Sequence, residues 1–154
     1  MKIRNNNLLA KQASNKMTAL TPLVQFVPPT EGWLRMIRAA LNMSMRQLGV
    51  RMSITPQSVL DMERREKEGT VSIKMLKEAA EALDMHFVYG FVPKDGSLEQ
   101  MIERKAYEAA ARIVSRTHTT MTLEGQGNTE QRLKDATREL AGEIVRDMPG
   151  KLWD

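Results

Sequence analysis

The side chains best suited to chemistry lie between Arg46 and Lys67, and they are hydrogen-bonding groups rather than catalytic ones. Thr55, Gln57, Ser58 and Asp61 fall within two helical turns, interleaved with the apolar Val59 and Met62. An amide such as Gln57 both donates and accepts on one adenine edge, while the hydroxyl of Thr55 or Ser58 bonds a base or a phosphate. Arg46, Arg51, Arg64, Arg65 and Lys67 flank the segment and suit a phosphate backbone. With Gln47 added, the candidate DNA contacts are Arg46, Gln47, Thr55, Gln57, Ser58, Asp61, Arg64, Arg65 and Lys67. The plainer alternatives are a merely solvated Gln57 and ion pairs from Arg64 and Arg65 to Glu66 or Glu68, which would be worth little.

Catalytic constellations are missing. The chain has no cysteine, so thiolate nucleophiles, thiolate metal sites and disulfides are excluded. His86 and His118 have no carboxylate at metal-ligand spacing, and there is no phosphate-cradling Gly-rich loop, nucleophile elbow or paired carboxylate. A binding protein without cofactor or metal is expected.

The elements that must position these groups are short helices. Trp33, Leu34, Ile37 and Leu41 mark a first apolar stripe, and Leu48 begins the next. Ser44 is a good N-cap for a helix to about Arg51. Thr55 caps a third, with Pro56 at its first position, where the missing N–H does no harm. Val59 and Met62 face inward there, with Gln57, Ser58 and Asp61 on the other side. Residues 66–70, with Gly69, read as a loop. Ser72 caps a fourth helix, whose Ile73, Leu76, Ala79, Ala80 and Leu83 face the core. A tight turn between the second and third helices is the requirement of a helix-turn-helix, whose third helix presents its N-terminal side chains to base edges.

Four stretches follow from the punctuation at Pro22, Pro28-Pro29, Pro93, Asp95-Gly96 and Gly125 with Gly127. Residues 1–30 are expected to hold a short helix (Leu8 to Leu20) and an extended connector (Pro22 to Pro29). Residues 31–84 form the DNA-binding domain. Residues 85–96 carry a β-strand, Met85 to Val92, and a turn; the strand would pair with the N-terminal connector or, preferred here, with a second subunit. Residues 97–154 form two helices, the first capped by Ser97 and lined by Leu98, Met101, Ile102, Ala106, Ala109, Ile113 and Val114. The second spans about Thr129 to Met148, with Leu133, Leu140, Ile144 and Val145 inside. The fold class expected is mainly α: a helix-turn-helix core, one short β-strand and a C-terminal helical pair.

Composition agrees. Twelve methionines against 5% aromatics suit helix packing rather than stacked sheets. The net charge is +4, and Lys2, Arg4, Lys11 and Lys16 face no acidic residue within 1–30, a basic arm or simply a solvated terminus. No secretory signal or apolar run of about 20 residues is present, so a soluble cytoplasmic chain with no membrane role is expected.

Residues 33–83 resemble the XRE/lambda-repressor family of helix-turn-helix domains, most clearly from Leu48 to Arg64, including the Glu63-Arg64 pair. The family often carries Gln where this chain has Met45, a departure at one implied phosphate contact. Over nearly its whole length the chain is also similar to the family called mobile mystery protein A. The likeness rests on Gly32-Trp33-Leu34-Arg35, on Phe87-Val88-Tyr89 ending at Pro93, and on the stretch from His118 to Glu124. That resemblance implies a neighbouring Fic-domain partner, an enzyme class that commonly transfers AMP from ATP to protein hydroxyls. It also implies an inhibitory helix of Ser or Thr, three free residues, Glu, then Gly or Asn, which Thr120, Glu124 and Gly125 fit. Positions i and i+4 share a helix face, so Thr120 and Glu124 would point one way. Glu124 would engage an arginine that holds the γ-phosphate of ATP, and Gly125 would end the helix. The expectation is a dimeric DNA-binding regulator and antitoxin of a Fic-domain toxin. The alternative is a repressor only, with C-terminal helices that dimerise.

Overall fold

A computed structural model describes residues 2–123, 130–147 and 149–154. The described residues form seven α-helices: α1 (Lys2–Thr18), α2 (Trp33–Ala40), α3 (Met45–Met52), α4 (Pro56–Glu68), α5 (Ile73–Ala82), α6 (Leu98–Leu123) and α7 (Glu130–Asp147). They divide into two compact units, residues 25–89 and residues 1–24 together with 90–154.

In the 25–89 unit, α2 to α5 close around Leu34, Leu48, Val59, Met62, Ala79 and Leu83, all buried. Leu48 and Val59 are fully enclosed, one from each of the paired helices α3 and α4. Local chemistry starts three of these helices. The Ser44, Thr55 and Ser72 hydroxyls accept from the backbone N–H groups of Gln47, Ser58 and Met75, satisfying donors that a helix start leaves orphaned. Trp33 departs from the expected inward stripe: it is 43% exposed and stacks on Phe26, with ring centroids 5.6 Å apart.

Each of these helices also ends in one way. Asn42, Ser53, Gly69 and Asp84 take left-handed φ of 52°, 57°, 78° and 56°. The next residue's N–H then reaches back five positions: Met43 to Arg38, Ile54 to Gly49, Thr70 to Arg65 and Met85 to Ala80. This closure satisfies orphan carbonyls and turns the chain sharply.

Three expectations need correction here. The loop expected from Glu66 begins only at Gly69, because Glu66, Lys67 and Glu68 are good helix formers and α4 continues through them. Ile73 is 47% exposed, since the first residue of α5 lies ahead of the stripe that buries Ala79 and Leu83. No strand forms among the described residues, so Met85–Val92 is not the β-strand expected. Branched and aromatic residues favour a pleated, half-buried surface, and that preference is expressed only where a neighbouring strand completes the ladder. Val88 and Phe91 instead stand 75% and 78% exposed.

In the other unit, α6 and α7 pack as the expected helical pair through Ile102, Ala106, Ala110 and Ala141, with Leu152 added from a short 3-10 turn (Gly150–Trp153). Alanines at the seam let the helices approach closely. Ser97 caps α6 as expected, accepting from Gln100 N–H at 3.1 Å. Nothing in the sequence pattern marks α1 as part of this unit, yet it joins it: buried Ser14 accepts from Leu98 N–H at 3.0 Å and donates to Glu99 at 2.6 Å. The first helix ends at Thr18, and the expected extended connector opens with a 3-10 turn, Thr21–Gln25, which suits the fixed φ of Pro22.

Candidate nucleic-acid interface

The reading edge is built by the α3–α4 turn. Gly49 lies in α3 where the chain doubles back; a Cβ there would sit 2.6 Å from the Ile54 carbonyl oxygen, so any side chain would push the turn away. Ser53 in its left-handed conformation then aims Thr55 and Pro56 into α4. Thr55 Oγ1 accepts from Ser58 N–H at 3.0 Å and lies 2.9 Å from Ser58 Oγ. Val59 and Met62, 0% and 3% exposed, fix the inner face of α4. Thr55, Gln57 and Ser58 are thereby left exposed, as the spacing predicted.

The flanking candidates are placed differently. Arg46 is exposed at the start of α3 and has no ion-pair partner among the described residues. Gln47 completes a capping box, its Oε1 accepting from Ser44 N–H at 2.7 Å, which leaves the amide nitrogen outside the cap. Arg64 bonds Asp61 and reaches Glu68 at 3.4 Å, while Arg65 Nε meets the second Asp61 oxygen at 2.9 Å. Lys67 Nζ lies 3.0 Å from both oxygens of Glu31. The hydrogen bond from Arg64 and the charge of Arg65 hold Asp61 below the usual carboxylate range, and Lys67 does the same for Glu31. Of the pairings anticipated, only that of Arg64 with Glu68 forms.

Two carboxylates of α4 have roles that the sequence pattern does not show. Glu63 is buried and grips Arg38 with both oxygens, at 2.5 and 3.2 Å, while Arg38 Nη1 donates to Met43 O at 3.0 Å. The Glu63 hydrogen bond raises the Arg38 guanidinium above its ordinary value. Glu66 accepts from Trp33 N–H at 2.8 Å and Leu34 N–H at 2.9 Å, so it caps α2, whose N-cap residue Gly32 has no side chain to do so. A signal existed: Glu63 follows Val59 by four positions and Met62 by one, on the buried stripe, where a carboxylate must find a partner.

Thr120 lies exposed on α6 and donates its hydroxyl to Arg116 O at 3.1 Å. Glu124 and Gly125 fall outside the described residues. No described group of side chains could hold a metal ion, and no described helix is long and apolar enough to cross a membrane.

Four short helices with a tight α3–α4 turn and an exposed polar edge on α4 define a helix-turn-helix domain. Residues 34–89 match the Helix-turn-helix family model, covering α2 to α5 and the segment after them. No curated protein and no solved structure matches the chain.

Proposed function

We propose that the chain is a DNA-binding transcription regulator that seats the first turns of α4 in the major groove. One observation carries this: Val59 and Met62 lock α4 so that Thr55, Gln57 and Ser58 face outward together. Gln57 and Ser58 read base edges, while Arg46 and the Gln47 amide, neighbours at the start of α3, hold phosphate. Two copies would engage half-sites about 34 Å apart, one helical turn of DNA.

Selection from a randomised duplex pool tests the reading. The wild type should enrich a defined sequence, and replacing Gln57 and Ser58 with Ala should lower preference for it over random DNA by ~1–3 kcal/mol, about 5- to 150-fold. Arg46→Ala should weaken every duplex alike and reduce the salt slope by about 1. Enrichment unchanged in the Gln57/Ser58 variant would remove α4 as the reader.

A second role rests on Thr120, exposed on a helix that runs to Leu123, directly before Glu124. The chain then also serves as an antitoxin, silencing a Fic-type adenylyltransferase through Thr120, Glu124 and Gly125 and controlling its own operon through α4. Glu124→Gly in a co-purified complex should restore AMP transfer; continued silence would exclude Glu124.

A further inference from the structure

We propose that Asp61 sets the specificity of α4 by holding Arg64 and Arg65 away from DNA phosphates. The inference rests on the DNA-binding reading and adds a residue that works by restraint. Arginines are sequence-blind ligands of phosphate, and each phosphate neutralised releases counterions, so two of them beside the reading edge favour any duplex equally. Here one carboxylate occupies both. Asp61 Oδ1 takes the Arg64 guanidinium, and Oδ2 takes Arg65 Nε at 2.9 Å. The spacing, i+3 and i+4 with the acid N-terminal to the cation, is the favourable order on a helix. Glu68 is the weaker second acceptor for Arg64, at 3.4 and 3.5 Å on an exposed surface. Both arginine side chains remain more than half exposed, so the restraint is reversible.

Asp61 follows Gln57 by four residues and Ser58 by three, which places it along the outward edge of α4 rather than behind it. Its charge is repelled by phosphates. Every base pair carries one exocyclic amino group in the major groove, on adenine or on cytosine, and the sequence decides where across the groove it lies. A site that sets it within reach gives the carboxylate a donor in return; one that sets a carbonyl oxygen or N7 there repels it, and the arginines stay with Asp61. Discrimination then arises from a penalty on wrong sequences as well as from contacts to the right one.

Anisotropy titrations of a labelled random-sequence duplex, repeated over a range of salt with the full chain, test this. Asp61→Asn should bind random DNA about tenfold tighter than wild type and steepen the log–log salt slope by about 1 to 2, as two arginines are released at ~0.9 per phosphate. Replacing Arg64 and Arg65 with Ala in the Asp61→Asn background should abolish the gain. Glu81→Gln, an equal change of net charge on the exposed surface of α5, should leave the slope unchanged. Asp61→Ala should behave as Asp61→Asn, with helical circular dichroism unaltered in both. Equal effects of Asp61→Asn and Glu81→Gln would overturn the proposal while leaving the DNA reading intact. No binding by wild type and variants alike at low salt would defeat the DNA reading, and this proposal with it.

Discussion

Glu63 and Glu66 sit one turn apart on α4, and their surroundings give them opposite tasks. Glu63 is an ion-pair partner inside the domain, so removing it strands the Arg38 guanidinium. Glu63→Ala should cost about 3–5 kcal/mol in urea unfolding, whereas replacing the pair together (Arg38→Met with Glu63→Leu) should lie far closer to wild type. A loss below about 1 kcal/mol for Glu63→Ala would show the pair to be dispensable. The exposed pairs around Asp61 and Glu31 contribute little to stability by comparison. The outward placement of Gln57 and Ser58 was legible from their types and from the apolar Val59 and Met62 that follow them. The roles of Glu63 and Glu66 were not, because each is fixed by α2, at least 25 residues earlier in the chain, and a helical pattern reports only its own face.

Titration follows the same logic. The Glu99 carboxyl accepts from the Ser14 hydroxyl, which with its backbone and Ser97 bonds holds it below the ordinary value. A depressed carboxylate stabilises the folded state above the unfolded-chain pKa of about 4.3, and that contribution disappears as pH falls through the lower folded value. The urea midpoint should therefore drop on acidification below pH ~4, and less steeply in Ser14→Ala. Parallel profiles for the two proteins would mean that Ser14 does not set the Glu99 ionisation.

At the scale of the element, the caps were readable and the closures were not. Ser44, Thr55, Ser72 and Ser97 each announce a helix start by type and position, and each bonds as expected. Of the four left-handed closures only one is glycine; Asn42, Ser53 and Asp84 tolerate the conformation through short polar side chains. Ser53→Gly and Asp84→Gly should each stabilise the domain by about 0.5–1 kcal/mol in thermal or urea melts, since the strain of a Cβ in that region is removed. Gly49→Ala should do the reverse. Its Cβ meets backbone rather than a flexible side chain, so a loss of about 1–3 kcal/mol is expected, together with weaker DNA binding as α4 is pushed off its seat. The absent strand is the complementary lesson. Propensity at Phe87, Val88 and Tyr89 is local, but a ladder needs a second chain segment that the sequence does not designate.

At the scale of the whole molecule, helix content and the DNA-reading core were visible in periodicity, whereas the company kept by α1 was not. Its large apolar residues Leu8 and Leu9 stand 53% exposed, Ala10, Ala13 and Met17 are only half-buried, and the decisive contact is a buried serine. Limited chymotrypsin digestion should cut first at Tyr89 and Phe91, 60% and 78% exposed on irregular backbone. The two fragments should co-elute until denatured, because α1 on the N-terminal piece remains packed on α6. Separation of native fragments on sizing would dissociate α1 from that unit.

The most direct test of the DNA-reading claim is an amide chemical-shift titration of the full chain with a selected duplex. The largest shifts should fall on Thr55 to Asp61, with Arg46 and Gln47 next. Shifts concentrated on α6 and α7, with the first turns of α4 unmoved, would contradict it.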